Sequence, residues 1–169
     1  KPGLRSWYEI SKALKPLGLT ISRPLGFNNT YALAVKEAFA SEHQLKTMTD
    51  LRPLAGSLRA AFSYEFMDRR DGYKGMVDRY RLAFKPNTVK RMEHSLAYIA
   101  LTDDSVDLIE VYSTDAKIKK LKLHVLEDPL GYFPKYEAVW VARTAFVESH
   151  PAAWNALRKV EGTIDESTM

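Results

Sequence analysis

The chain has 169 residues, 46% of them hydrophobic and 27% charged, with a net charge of +4. That profile suits one ordinary domain or two small lobes, excludes a disordered chain, and allows an electrostatic partner without demanding one. Cysteine is absent, which excludes disulfides, thiolate metal sites and cysteine nucleophiles, and no apolar run approaches the ~18 residues that a membrane helix needs.

Along the chain, Leu4, Trp7, Ile10 and Leu14 recur at helical spacing until Pro16 and Gly18 end the helix. A short strand, LTIS, leads through the loop RPLGFNN into the strand TYALAV, where Tyr31, Leu33 and Val35 alternate with alanines. Asn28, Asn29 and Thr30 are turn residues, yet three hydrogen-bonding side chains and a tyrosine at a strand mouth suit a loop that holds something. A helix is expected through KEAFASEHQL, a turn capped by Thr49 at DLRPLAG, and a strand at SLRAAFS. The polar loop YEFMDRRDG follows, then a helix at YKGMVDRYR and a longer one through VKRMEHSLAYIAL. VDLIEVYS reads as a buried strand, and Ser113 or Thr114 would cap a brief basic helix, DAKIKKLK. Two more strands, LHVLED and YEAVWVAR, precede a final helix that starts at Pro151 and has Gly162 just beyond it. Both termini read as cut: the chain opens on Lys1 without methionine or targeting segment, and stops soon after Thr163 and Asp165, either of which would cap a helix without a body.

Strands alternating with helices predict an α/β architecture with largely parallel pairing, and place ligand-bearing loops around Asn29, Arg69, Tyr112 and Tyr136. Enzyme signatures are missing: there is no G-x-G-x-x-G, G-x-x-x-x-G-K-[ST], G-x-S-x-G or H-E-x-x-H. His124 with Glu127 and Asp128 offers metal-ligand chemistry, but a strand-end histidine beside a solvated acidic turn accounts for it better, so no catalytic residue, metal or cofactor is expected. The basic stretches KIKKLKLH and KPNTVKR are interrupted by acidic neighbours and read as solvated faces rather than a nucleic-acid surface. Any one of Tyr31, Tyr112 and Tyr136 reads as an ordinary core or rim residue at a strand end; three of them beside polar turn residues shift the balance toward an aromatic box, which would attract a quaternary ammonium by cation–π contact. Arg69, in DRRDG, either pairs with a neighbour such as Asp68 or Asp71 or clamps a ligand carboxylate bidentately.

Four stretches, FNNTYALAV, SYEFMDRRDGYKGM, VDLIEVYSTDAKIK and VLEDPLGYFPKYEAVWVAR, together resemble the substrate-binding proteins of ABC importers for glycine betaine, choline, carnitine and related osmoprotectants. The resemblance runs from about Leu19 onward, including the TAFVESHPAAWNALRKVEGTID region. It implies a type II periplasmic-binding fold of two α/β lobes, here with one lobe incomplete: residues 1–27 as a remnant of the first lobe, 28–111 as the inserted second lobe, and 112–169 as the return to the first. It further implies that Tyr31, Tyr112 and Tyr136 form a cage for the ammonium, that Asn29 adds a polar contact, and that Arg69 binds the ligand carboxylate. The implied protein is not an enzyme. It works at the periplasmic or extracytoplasmic face, touches the membrane only through an ABC permease, binds no nucleic acid, and delivers a quaternary ammonium ligand, glycine betaine ahead of choline or carnitine. A ligand-sensing regulatory domain of the same fold is the alternative. Lys135 in place of a common proline and Trp140 in a place often small depart from the family pattern, and the apolar sheet surface of a half-lobe would favour a homodimer.

Overall fold

The computed structural model describes residues 6–165. Helix α1 (Trp7–Leu14) opens on a reciprocal cap, in which the Glu9 amide donates to Ser6 Oγ at 3.2 Å and the Ser6 amide donates to the Glu9 carboxylate at 3.1 Å. Such a box satisfies two of the donors that a helix start leaves open. Leu4, expected on the same face, lies outside the described residues. A tight turn through Pro16 and a left-handed Gly18 (φ 69°) end the segment as expected.

Strand β1 (Leu19–Ile21) is followed by β2 (Tyr31–Lys36) and α2 (Glu37–His43). Thr47, rather than Thr49, caps the next turn, its amide donating to Asp50 at 2.8 Å. After β3 (Ala60–Ser63) the stretch expected as a polar loop forms α3 (Tyr64–Asp68), started by the Ser63 hydroxyl, which accepts from the Phe66 amide at 3.1 Å. Helix α4 (Tyr73–Tyr80) follows directly. The run expected as one long helix divides into β4 (Val89–Met92) and α5 (His94–Thr102), because the Glu93 carboxylate accepts from the Ser95 amide at 2.8 Å and opens the helix there. Strand β5 (Leu108–Tyr112) leads to α6 (Ala116–Lys120), whose cap position is Asp115 rather than Ser113 or Thr114. Strands β6 (Leu123–Leu126) and β7 (Val141–Arg143), then α7 (Thr144–Ser149) and α8 (Pro151–Arg158), complete the order. Pro151 sits at the first helical position and Gly162 takes φ 68° beyond the end.

These elements fall into two compact units. In the first, whose two segments meet the second at Asn29 and Lys135, β1 pairs antiparallel with β7, Leu19 opposite Arg143 and Ile21 opposite Val141. Here the Asn28 side chain accepts from the Tyr136 amide at 2.5 Å, and the Asn29 amide donates to the Tyr136 carbonyl at 3.1 Å. Asn28 thus serves the backbone of its own unit, a use of turn chemistry that needs no ligand.

The second unit, Thr30–Pro134, is a five-stranded sheet in the order β4-β3-β5-β2-β6. Strand β3 runs parallel to both β4 and β5, while β2 runs antiparallel to both β5 and β6. The sheet is therefore mixed, not largely parallel, because the period-2 alternation that identifies a strand carries no information about its direction. The expected return to the first lobe at Tyr112 falls inside this unit, since β5 and β6 both hydrogen-bond to β2.

Alternation along the strands sorts the core into two layers. Tyr31, Leu33, Val35, Phe62 and Leu108 join Met48, Leu51, Phe66, Met76 and Tyr80 on one face. Ala34, Ala61, Ile109 and Val111 meet Ala97, Tyr98 and Leu101 of α5 on the other. The loop after β6 is held by one carboxylate: Asp128 accepts from the Tyr132 amide at 3.0 Å, the Phe133 amide at 2.8 Å and the Tyr80 hydroxyl. Burial and then Asp128 push the Tyr80 phenol up to about 12. Asp128 is thereby committed to folding, and His124 instead faces Glu37 at 3.5 Å.

Asp128→Ala should cost roughly 2–3 kcal/mol of stability, because three donors lose a charged acceptor. A fall in the urea midpoint at unchanged slope checks it. Gly72→Ala should be destabilising by roughly 1–3 kcal/mol on the same assay, since an added Cβ would overlap the Phe66 carbonyl oxygen at the start of α4.

Candidate ligand-binding site

The antiparallel register of β2 and β5 sets Tyr31 directly opposite Tyr112. Their ring centroids stand 5.1 Å apart at a tilt of 32°, a cross-strand aromatic pair at the end of β5. Phe66, the third residue of α3, brings its ring to 5.0 Å from Tyr31. Phe133 lies 6.2 Å from Tyr31 and 6.1 Å from Phe66, carried there by the loop that Asp128 fixes. Tyr31 is 5% exposed and Tyr112 half-buried. Burial first, then Tyr112 and Glu65 beside it, hold the Tyr31 phenol far above its ordinary range, so the cluster is neutral phenol at any physiological pH.

Helix α3 supplies the polar groups at this cluster. Glu65 accepts from the Tyr112 hydroxyl at 3.4 Å. Arg69 sits at the end of the same helix with its guanidinium carbon 5.7 Å from the Tyr31 ring centroid. Its fork closes on Asp71, Nε to Oδ1 and Nη2 to Oδ2 both at 2.8 Å, and Nη1 reaches Glu65 at 3.3 Å. A bidentate guanidinium–carboxylate pair is the geometry expected of carboxylate recognition, with the carboxylate here supplied by the chain itself.

Behind Tyr112 lies a second polar cluster. His94, the first residue of α5, packs its ring 4.8 Å from that of Tyr112. Its Nδ1 is 3.2 Å from Glu110 and its Nε2 3.0 Å from Asp115. Glu110 has no exposed surface and accepts from the Ser63 amide with both oxygens, at 2.9 and 3.0 Å. Asp115 also accepts from the Tyr98 hydroxyl at 2.5 Å and the Tyr112 amide at 3.2 Å.

Of the five residues expected at a site, Tyr31, Arg69 and Tyr112 therefore come together in the second unit, while Asn29 and Tyr136 belong to the first and meet each other through the backbone. Sequence reasoning missed Phe66, Phe133, Glu65, His94 and Glu110. A lone glutamate inside the apolar run VDLIEVY was the available signal for Glu110. Among the described residues, no group of three or more histidine, cysteine or acidic side chains could hold a metal ion.

The site thus combines a neutral aromatic cluster with carboxylates and an arginine at its edge. A family model described as the substrate-binding domain of the ABC-type glycine betaine transport system matches residues 6–169. An ergothioneine transport permease/ergothioneine binding protein of Helicobacter pylori is 34% identical over 145 residues, covering 86% of this chain and 26% of its own length. A glycine-betaine-binding protein of Pseudomonas aeruginosa is 35% identical over 173 residues, covering 97% of this chain and 56% of its own. A crystal structure of a glycine betaine/carnitine/choline ABC transporter protein superposes with a TM-score of 0.80 at 33% identity, covering 95% of this chain and 59% of that one. The chain thus spans between 26% and 56% of the length of these two curated relatives. Its mixed α/β fold is that of the periplasmic binding proteins, and the chain belongs to the family of substrate-binding domains of ABC-type glycine betaine transport systems.

Proposed function

We propose that this chain is the ligand-binding part of an ABC importer's solute-binding component, working at the extracytoplasmic face of the membrane and delivering a quaternary ammonium osmolyte to a permease without chemical change. The Tyr31–Tyr112 pair, with Glu65 and Arg69 at its edge, is the observation that carries this reading. A trimethylammonium group has no N–H to donate, so aromatic faces and a nearby negative charge are what can hold it. The compounds named for the relatives, ergothioneine, glycine betaine and carnitine, each combine a trimethylammonium with a carboxylate. Asn29 and Tyr136 enter the proposal as further ligand contacts from the motif resemblance alone.

Glycine betaine is the first candidate, with choline and carnitine behind it, and Asp71 sets how far they differ. A buried, unpaired arginine would penalise choline, which has no carboxylate, by about 1–3 kcal/mol. With Asp71 already in the Arg69 fork, that penalty is small, and a ligand carboxylate gains only what it offers beyond Asp71.

Isothermal titration with glycine betaine, choline and carnitine tests the reading. Saturable binding of at least one is expected, weakened about tenfold or more in Tyr112→Ala by loss of one cation–π face. No saturable binding of any of the three would overturn it. The betaine-to-choline preference should be below tenfold in the unaltered chain and should widen several-fold in Asp71→Asn, which leaves the Arg69 fork without its internal carboxylate. An unchanged preference would show that Arg69 does not meet the ligand carboxylate.

A further inference from the structure

His94 lies outside every role assigned above, yet its environment is unusually specific. A carboxylate faces each ring nitrogen, Glu110 at Nδ1 and Asp115 at Nε2. A neutral imidazole carries one N–H and could serve only one of them; the imidazolium carries two and serves both. Neither carboxylate can turn away freely. Glu110 is fully buried and pinned by the Ser63 amide, and Asp115 is pinned by the Tyr98 hydroxyl and the Tyr112 amide.

We propose that His94 is held as an imidazolium between Glu110 and Asp115 and that, in this charged form, it positions the Tyr112 ring of the ligand site. It is a positioning residue, acting through Tyr112, whose ring packs 4.8 Å from its own and whose amide shares Asp115 with it. The two groups that bond its ring nitrogens are both carboxylates, with one ammonium farther off. Glu110 comes from β5, Asp115 from the cap of α6, and Glu93 and Tyr98 from its own helix, the last of these beneath the Lys117 ammonium at 4.7 Å. Glu110 first, and Asp115 after it, raise the affinity of His94 for its proton against the opposing effect of burial.

The direction of the pH effect follows. A histidine that binds its proton more tightly when folded contributes stability fully present below the unfolded value, ~6.5, and lost as pH rises through the higher folded value. Above that point one carboxylate faces a lone pair, the His94 ring is no longer held at both ends, and Tyr112 loses its backing. Ligand affinity should therefore fall with rising pH, even though neither glycine betaine nor the tyrosine cluster titrates in that range.

The inference rests on the quaternary ammonium reading only for its ligand readout, and one experiment separates the two. The His94 and Tyr112 ring resonances are followed by NMR in the ligand-free chain from about pH 5 to pH 9, alongside glycine betaine titrations over the same range. His94 is expected to titrate above ~6.5, with the Tyr112 ring signals moving at the same midpoint. The glycine betaine Kd should rise about fivefold across that midpoint, the equivalent of one hydrogen bond, and stay flat in His94→Gln, which cannot titrate. A His94 midpoint at or below ~6.5, or Tyr112 signals indifferent to it, would overturn the proposal. So would a Kd in the unaltered chain that is as flat as that of His94→Gln. Should glycine betaine fail to bind at all, the functional reading falls and the Tyr112 resonances alone decide the role of His94. The unaltered chain gives that decision even where His94→Gln does not fold.

Discussion

Glu110 is a carboxylate with no exposed surface in the middle of a sheet, and the site is built around its neutralisation. A buried charge costs several kcal/mol unless hydrogen bonds and an opposite charge offset it. The Ser63 amide and His94 do so, and each draws a different element into place. Ser63 ends β3 and caps α3, so the same residue that satisfies Glu110 also launches the helix carrying Glu65, Phe66 and Arg69. His94 begins α5, so the second contact fixes where that helix starts against β5. Two residues further along β5, on the same face, is Tyr112. One buried charge thus sets the relation between the strand that bears Tyr112 and the helix that edges it with polar groups.

Most strands were legible because alternation survives in the sequence, whereas helix α3 and the edge strand β4 were not. SLRAAFS, VDLIEVYS and LHVLED each contain the strand that their patterning predicts, and TYALAV contains all of β2 but Lys36. Helix α3 has five residues with only Phe66 buried, so no apolar period announces it, and its signal is the Ser63 cap alone. Val89–Met92 was absorbed into the following helix because an edge strand with two lysine or arginine residues in four looks like a solvated helix face. Strand direction, and hence the mixed sheet, has no local code at all. Tyr31 and Tyr112 were legible as strand-mouth tyrosines, but that they stand opposite each other is a fact of register, which emerges only once β2 and β5 are paired.

Arg69 shows how a correct residue can carry an unexpected relation. Its neighbour Asp71 is two positions away, and the extended backbone at Arg69 where α3 ends brings the carboxylate into the guanidinium fork in bidentate geometry. Local pairs of this kind form at low entropic cost, because the intervening loop is so short. The pair keeps the arginine oriented next to Tyr31, and on the proposed reading it would make recognition of a ligand carboxylate an exchange of partners rather than a new contact.

The two cations of the region have parallel settings. Arg69 lies between Glu65 and Asp71 on one side of the Tyr31–Tyr112 pair, and His94 lies between Glu110 and Asp115 behind Tyr112. Four carboxylates therefore surround two positive groups, and the excess is negative at the aromatic rings. A field of that sign favours a permanent cation near the ring faces, where hydrogen-bond donors would be of no use to it. Both groups also touch the rings, Arg69 at 5.7 Å from the Tyr31 centroid and His94 at 4.8 Å from that of Tyr112, while each is held by two carboxylates. On the quaternary ammonium reading proposed above, selectivity for the ammonium would come from the carboxylates around neutral phenols, and selectivity for the rest of the ligand from how readily Asp71 yields the Arg69 fork.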